Sequence, residues 1–170
     1  FIWLTKRVPK ESIEKKQPVS VIQIFKMYIL VLFGMYVVNI LFGLIMQFFT
    51  KQNSNLTGEA LSDMPIIGMT ILVVIFAPII EELIFRRLLY QLLAPLGIKS
   101  YLFTSALIFG LFHMNLSQSL YTFWFGLFLA YLFYETGSVL YPIILHMMVN
   151  FTGSIMPLFS AKNLILAIAM

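Results

Sequence analysis

The stretch from Pro78 to Arg87 reads Pro-Ile-Ile-Glu-Glu-Leu-Ile-Phe-Arg-Arg and lies inside an apolar run from Ile66 to Leu93. A run of that length can cross a bilayer as a helix. Ionisable groups at such depth cost about 2.5–3.5 kcal/mol each unless they are paired or hydrated. Most of the chain's other charges sit in tails and loops, so a cluster of two carboxylates and two guanidiniums here calls for a reason.

Of the 170 residues, 61% are hydrophobic and 11% charged, against about 25% charged in soluble domains. Such a surplus of apolar surface must face lipid, which predicts a multi-spanning membrane protein. The chain has no cysteine, which excludes disulfides, thiolate catalysis and Cys-based metal sites. Its net charge of +4 is uneven: Lys6, Arg7, Lys10, Lys15, Lys16 and Lys26 all precede the first uncharged run. Beside a membrane span, such a cluster reads as a cytoplasmic topology signal or a contact with anionic lipid, not as a nucleic-acid footprint. The first residue is Phe1 and the last, Met170, falls within an apolar run, which predicts further spans at one or both ends.

Uninterrupted apolar runs without period-two alternation predict helices, the form that satisfies the backbone in lipid without pairing between strands. The expected fold is all-α, a polytopic transmembrane helix bundle with an intramembrane polar cavity. Residues 1–20 read as a basic cytoplasmic segment. Residues 21–65 hold a first span, Val21 to Phe49, and a polar loop, in which Asn55-Leu56-Thr57 matches a common glycosylation triplet. Residues 66–158 read as four spans: Ile66 to Leu93, Ser100 to Met114, Leu120 to Tyr134 and Val139 to Pro157. A polar break at Asn115 to Ser119 separates the second and third of these. Residues 159–170 read as the start of another helix. Asn39, the one polar residue at the centre of the first span, is expected to make an interhelical hydrogen bond.

Depth and face bring certain residues together. Counted from the turn at Pro95 to Lys99, Glu81, Glu82 and His113 all lie roughly 20 Å in, and His146 lies roughly 12 Å from Ser138, with Asn150 one turn deeper. Glu82 and Arg86 share a helix face and can pair, which leaves Glu81 without a cation. His146 and Asn150 can face one cavity, and Phe109 can pack beneath His113. Pro78 and Pro142 free carbonyls and kink their helices about a turn before these polar groups.

Three pieces therefore stand out: Glu81-Glu82-x-x-x-Arg86, Phe109-x-x-x-His113 and His146-x-x-x-Asn150. In this order, on separate spans, they resemble the motifs of the CPBP family of intramembrane proteases. That family includes the type II CAAX prenyl endopeptidases and the bacterial Abi-type proteins linked to bacteriocin processing and self-immunity. The resemblance covers about Ile66 to Pro157. It implies an endopeptidase of a bacterial plasma membrane, with its site open to the cytoplasmic side. By resemblance, Glu81 is a general base that polarises a water together with His113, while His146 and Asn150 stabilise the oxyanion. Glu82 and Arg86 hold the motif helix, supported by Phe109. Implied partners are membrane lipids and a peptide or protein substrate: a prenylated tail, a bacteriocin leader or a quorum-peptide precursor.

Catalysis without a metal or other cofactor is the preferred reading, and zinc on Glu81, His113 and His146 is its rival. No H-E-x-x-H occurs, so the common zinc-protease arrangement is absent. Outside enzymology, the same polar cluster would suit a non-catalytic self-immunity factor or scaffold, and less well a proton-coupled transporter.

Overall fold

Among the residues described in the computed structural model, 18–49 and 66–155, all regular structure is helical. The basic segment before Pro18, the loop containing Asn55 and the helix expected over 159–170 lie outside the described residues.

The first helix, α1, covers Val21–Phe49. Its start is written in Ser20-x-x-Gln23, a reciprocal cap. The Gln23 N–H donates to Ser20 Oγ at 3.3 Å and the Ser20 N–H donates to Gln23 Oε1 at 2.8 Å. Only a narrow stripe of α1 is buried, including Ile24 and Val31, whereas Phe25, Phe33, Ile40 and Leu44 are exposed. Asn39 is exposed as well, on the outer face of α1.

A second helical run, α2, occupies residues 66–93 but is not uniform. It alternates Ile66–Met69, the π-helical Thr70–Phe76, the α-helical Ala77–Glu82, the π-helical Leu83–Leu88 and Leu89–Leu93. Pro78 supplies no amide hydrogen, and its ring crowds the carbonyl four residues back. A widened turn just before it relieves that crowding. The chain then turns at Gly97, whose φ of 95° suits glycine and few other residues.

The remaining helices are α3, Ile98–Phe112, α4, Leu116–Thr136, and α5, Leu140–Asn150, which continues into the π-helical Phe151–Ile155. The polar break expected at Asn115 to Ser119 is shorter in the structure. Asn115 caps α4 by accepting from the Gln118 N–H at 3.3 Å, so residues 116–119 form its first turn. Gly137, left-handed at φ 63°, closes the other end. Among the described residues, two helices, Val21–Met46 and Leu116–Thr136, are long and apolar enough to cross a membrane.

All five helices contribute to one core of Val31, Phe85, Phe109, Phe125, Leu129, Leu132, Leu145 and Val149. Close approach depends on small residues, as is usual where apolar burial alone does not drive helices together. At Gly110 a Cβ would lie 2.7 Å from the Ser119 backbone oxygen, and at Gly126 it would lie 3.0 Å from Ala106 Cα. At Gly34 it would run into the Trp124 indole. Gly110→Ala and Gly34→Ala are therefore expected to cost about 1–3 kcal/mol each by overpacking. Gly43→Ala, with nothing within 4 Å of its Cβ, is expected to be neutral or to stabilise by up to about 1 kcal/mol through helix propensity. Thermal melting of the three detergent-solubilised variants checks this ranking.

Candidate active site

Two widened turns in α2 bracket the glutamates, and each exposes a carbonyl to another helix. In a π-helical turn Val73 O would accept from residue 78, but Pro78 has no N–H. Asn150 Nδ2 on α5 donates to Val73 O at 2.9 Å instead. Downstream, the Leu89 N–H bonds Arg86 O and Ile84 O and so passes over its ordinary α-helical acceptor, Phe85 O. That carbonyl accepts from the Ser105 hydroxyl on α3 at 2.7 Å.

Between these turns, adjacent positions in an α-helix point about 100° apart. Glu82 consequently faces inward and is fully buried. Its Oε2 accepts from Arg86 Nε at 2.8 Å, and its Oε1 lies 2.8 Å from His146 Nδ1. Since an ionised carboxylate can only accept, Nδ1 is the protonated donor. Arg86 is also fully buried; its Nη1 donates to Ser105 Oγ at 2.9 Å, and its Cζ lies 4.8 Å from the centroid of the Phe109 ring. Burying two ions costs several kcal/mol per ion, and close pairing with further hydrogen bonds is what offsets it.

Glu81 belongs to a different environment. Its side chain is 19% exposed, and its Oε2 lies 3.8 Å from His146 Nε2, a neighbour beyond hydrogen-bond range. The imidazole of His146 is thus gripped on one nitrogen by a buried carboxylate and faces a partly open one with the other. Phe125 and Phe109 meet that ring edge-on at 5.1 and 5.6 Å. His113 ends α3, and its Nδ1 donates to Phe109 O at 3.0 Å. Its ring lies 5.2 Å from that of Phe109, so Phe109 touches both imidazoles.

The structure thus gathers Glu81, Glu82, Arg86, Phe109 and His146 directly, joins His113 to them through Phe109, and places Asn150 against the turn preceding Pro78. Among the described residues no three His, Asp or Glu side chains form a group able to hold a metal ion. Both histidines commit Nδ1, His113 to Phe109 O and His146 to Glu82 Oε1, and keep Nε2 for other partners. Sequence reasoning passed over Ser105. The signal was there: Tyr101, Ser105, Phe109 and His113 recur every four residues along one face of α3.

Comparison with known proteins points the same way. A family model described as "Type II CAAX prenyl endopeptidase Rce1-like" matches residues 63–152, a little over half of the chain and all of the residues gathered here. Over 100 residues the chain is 33% identical to "CAAX prenyl protease 2" of Homo sapiens, a match covering 46% of this chain and 30% of that protein. The match therefore spans less than a third of the relative's length. No solved structure matches the chain.

Proposed function

Because the chain belongs to the Rce1-like family of type II CAAX prenyl endopeptidases, we propose that it hydrolyses a peptide bond near the C-terminus of a membrane-associated, prenylated peptide. The catalytic centre of this reading sits in a polar cavity within a polytopic helix bundle. Two helices of spanning length and the exposed apolar faces of α1 support that setting.

The observation that carries the proposal is the partly exposed Glu81 carboxylate beside an imidazole whose far nitrogen is anchored by Glu82. Glu81, with His113, takes a proton from water as the water oxygen bonds to the scissile carbonyl carbon. The resulting oxyanion is held by His146 and Asn150. Asn150 has a second amide hydrogen for this after giving one to Val73 O. His146 donates to the oxyanion from Nε2 when both ring nitrogens carry protons. Collapse of the intermediate breaks the C–N bond, and the proton held by Glu81 passes to the departing amine.

The test is cleavage by the purified protein in detergent, with a farnesylated CAAX-type peptide offered alongside its unprenylated counterpart and a leader-type peptide. Mass spectrometry is expected to find a cut in the farnesylated peptide. If all three stay intact, the proposal fails; if only the leader peptide is cut, the substrate assignment fails.

A further inference from the structure

We propose that Ser105 is a positioning residue for the hydrolytic centre, acting on His146 through Arg86 and Glu82. The hydroxyl accepts from Arg86 Nη1 at 2.9 Å and donates to Phe85 O at 2.7 Å. Arg86 Nε donates to Glu82 Oε2 at 2.8 Å, and Glu82 Oε1 meets His146 Nδ1 at 2.8 Å. These contacts form an unbroken relay from α3 through α2 to α5. Ser105, Arg86 and Glu82 are each fully buried and His146 nearly so, so water does not replace a lost link.

Both functions of the hydroxyl are specific to this place. The widened turn at Leu83–Leu88 draws the Leu89 N–H away from Phe85 O, and a hydroxyl from another helix satisfies that carbonyl. The same oxygen fixes one arm of a guanidinium whose Nη2 has no hydrogen-bond partner among the described residues. Without Ser105, the contacts left to the guanidinium among the described residues are Nε to Glu82 and the Phe109 ring, which allow the plane, and Glu82 with it, to rotate. His146 Nε2 then loses its fixed relation to Glu81.

The inference rests on the peptidase reading, so two readouts separate them. In this chain, Ser105→Ala is expected to lower kcat about 10- to 100-fold, as small misplacements of reacting groups do, with KM unchanged. Gly34→Ala, a destabilised variant remote from the relay, is expected to keep the parent kcat in its folded fraction. Ser105→Cys has similar volume but hydrogen-bonds weakly, and is expected to behave like Ser105→Ala. A wild-type kcat in Ser105→Ala, or its recovery in Ser105→Cys, overturns the inference.

The second readout needs no substrate. The chain has two histidines, so 15N-histidine labelling yields two side chains, assigned with His113→Gln. The His146 nitrogen resonances are expected to move in Ser105→Ala and to stay in place in Gly34→Ala. If the parent cleaves nothing, the peptidase reading fails and these resonances alone decide: unmoved resonances in Ser105→Ala overturn the positioning role.

Discussion

Glu81→Gln is expected to reduce peptide-bond cleavage by about two to four orders of magnitude, the range for losing a positioned general base, while the protein melts near the parent temperature. The substitution is close to isosteric. Glu81 makes no short ion pair and keeps its side chain 19% exposed, so an amide there strands no buried charge. Its Oε2 is nonetheless the carboxylate oxygen facing His146 Nε2, where a proton acceptor is needed and an amide does not serve. Single-turnover cleavage of the farnesylated peptide, measured beside thermal melting, separates lost chemistry from lost structure. Parental rates in Glu81→Gln would remove the base from the proposed reaction. His113→Gln, with its ring next to Phe109 rather than against Glu82, is expected to give a smaller activity loss with a similar melting profile.

The opposite pattern is expected five residues along the chain. Arg86→Met should destabilise the fold by about 3–5 kcal/mol, the usual result of removing one partner of a buried pair. Both Glu82 and Arg86 are at 0% exposure. Methionine fills much of the space but leaves the Glu82 carboxylate uncompensated and Ser105 without its donor. Loss of folded protein on size-exclusion chromatography and a lower melting temperature are the measurements. Removing both ions in Glu82→Leu with Arg86→Met is expected to recover much of the stability, since paired hydrophobic replacements are often tolerated. Activity is not expected to return, because His146 Nδ1 then has no acceptor. If Arg86→Met alone melts like the parent, the buried pair is not what holds α2 against α3 and α5.

Helices were legible because long apolar runs without alternation leave the backbone little other choice. The turn at Pro95 to Lys99 was read from the sequence, and the chain does turn there, at Gly97; the Ser20-x-x-Gln23 cap was not. The pairing of Glu82 with Arg86, and the separateness of Glu81, followed from four-residue spacing on a single helix. Helical period relates residues within one element, and each of these contacts or separations lies within one element.

Relations between elements had to come from the fold. From depth alone, His113 stood level with Glu81, roughly 20 Å in, and His146 only roughly 12 Å in, yet His146 Nε2 faces Glu81 at 3.8 Å. Asn39 was expected inside a helix contact and lies outside. Ser105 carried no signal beyond its place on the face of His113. The physical reason lies in α2, where two π-helical stretches flank the glutamates. Each residue added to a turn rotates everything beyond it by about 100°, and a carbonyl in each widened turn, Val73 O and Phe85 O, accepts from a side chain on another helix. Composition and spacing by themselves determined which segments are helical and which charges pair along one helix. The tertiary structure decided how those helices are rotated about their axes, and with that which imidazole meets the exposed glutamate and which hydroxyl braces the buried one.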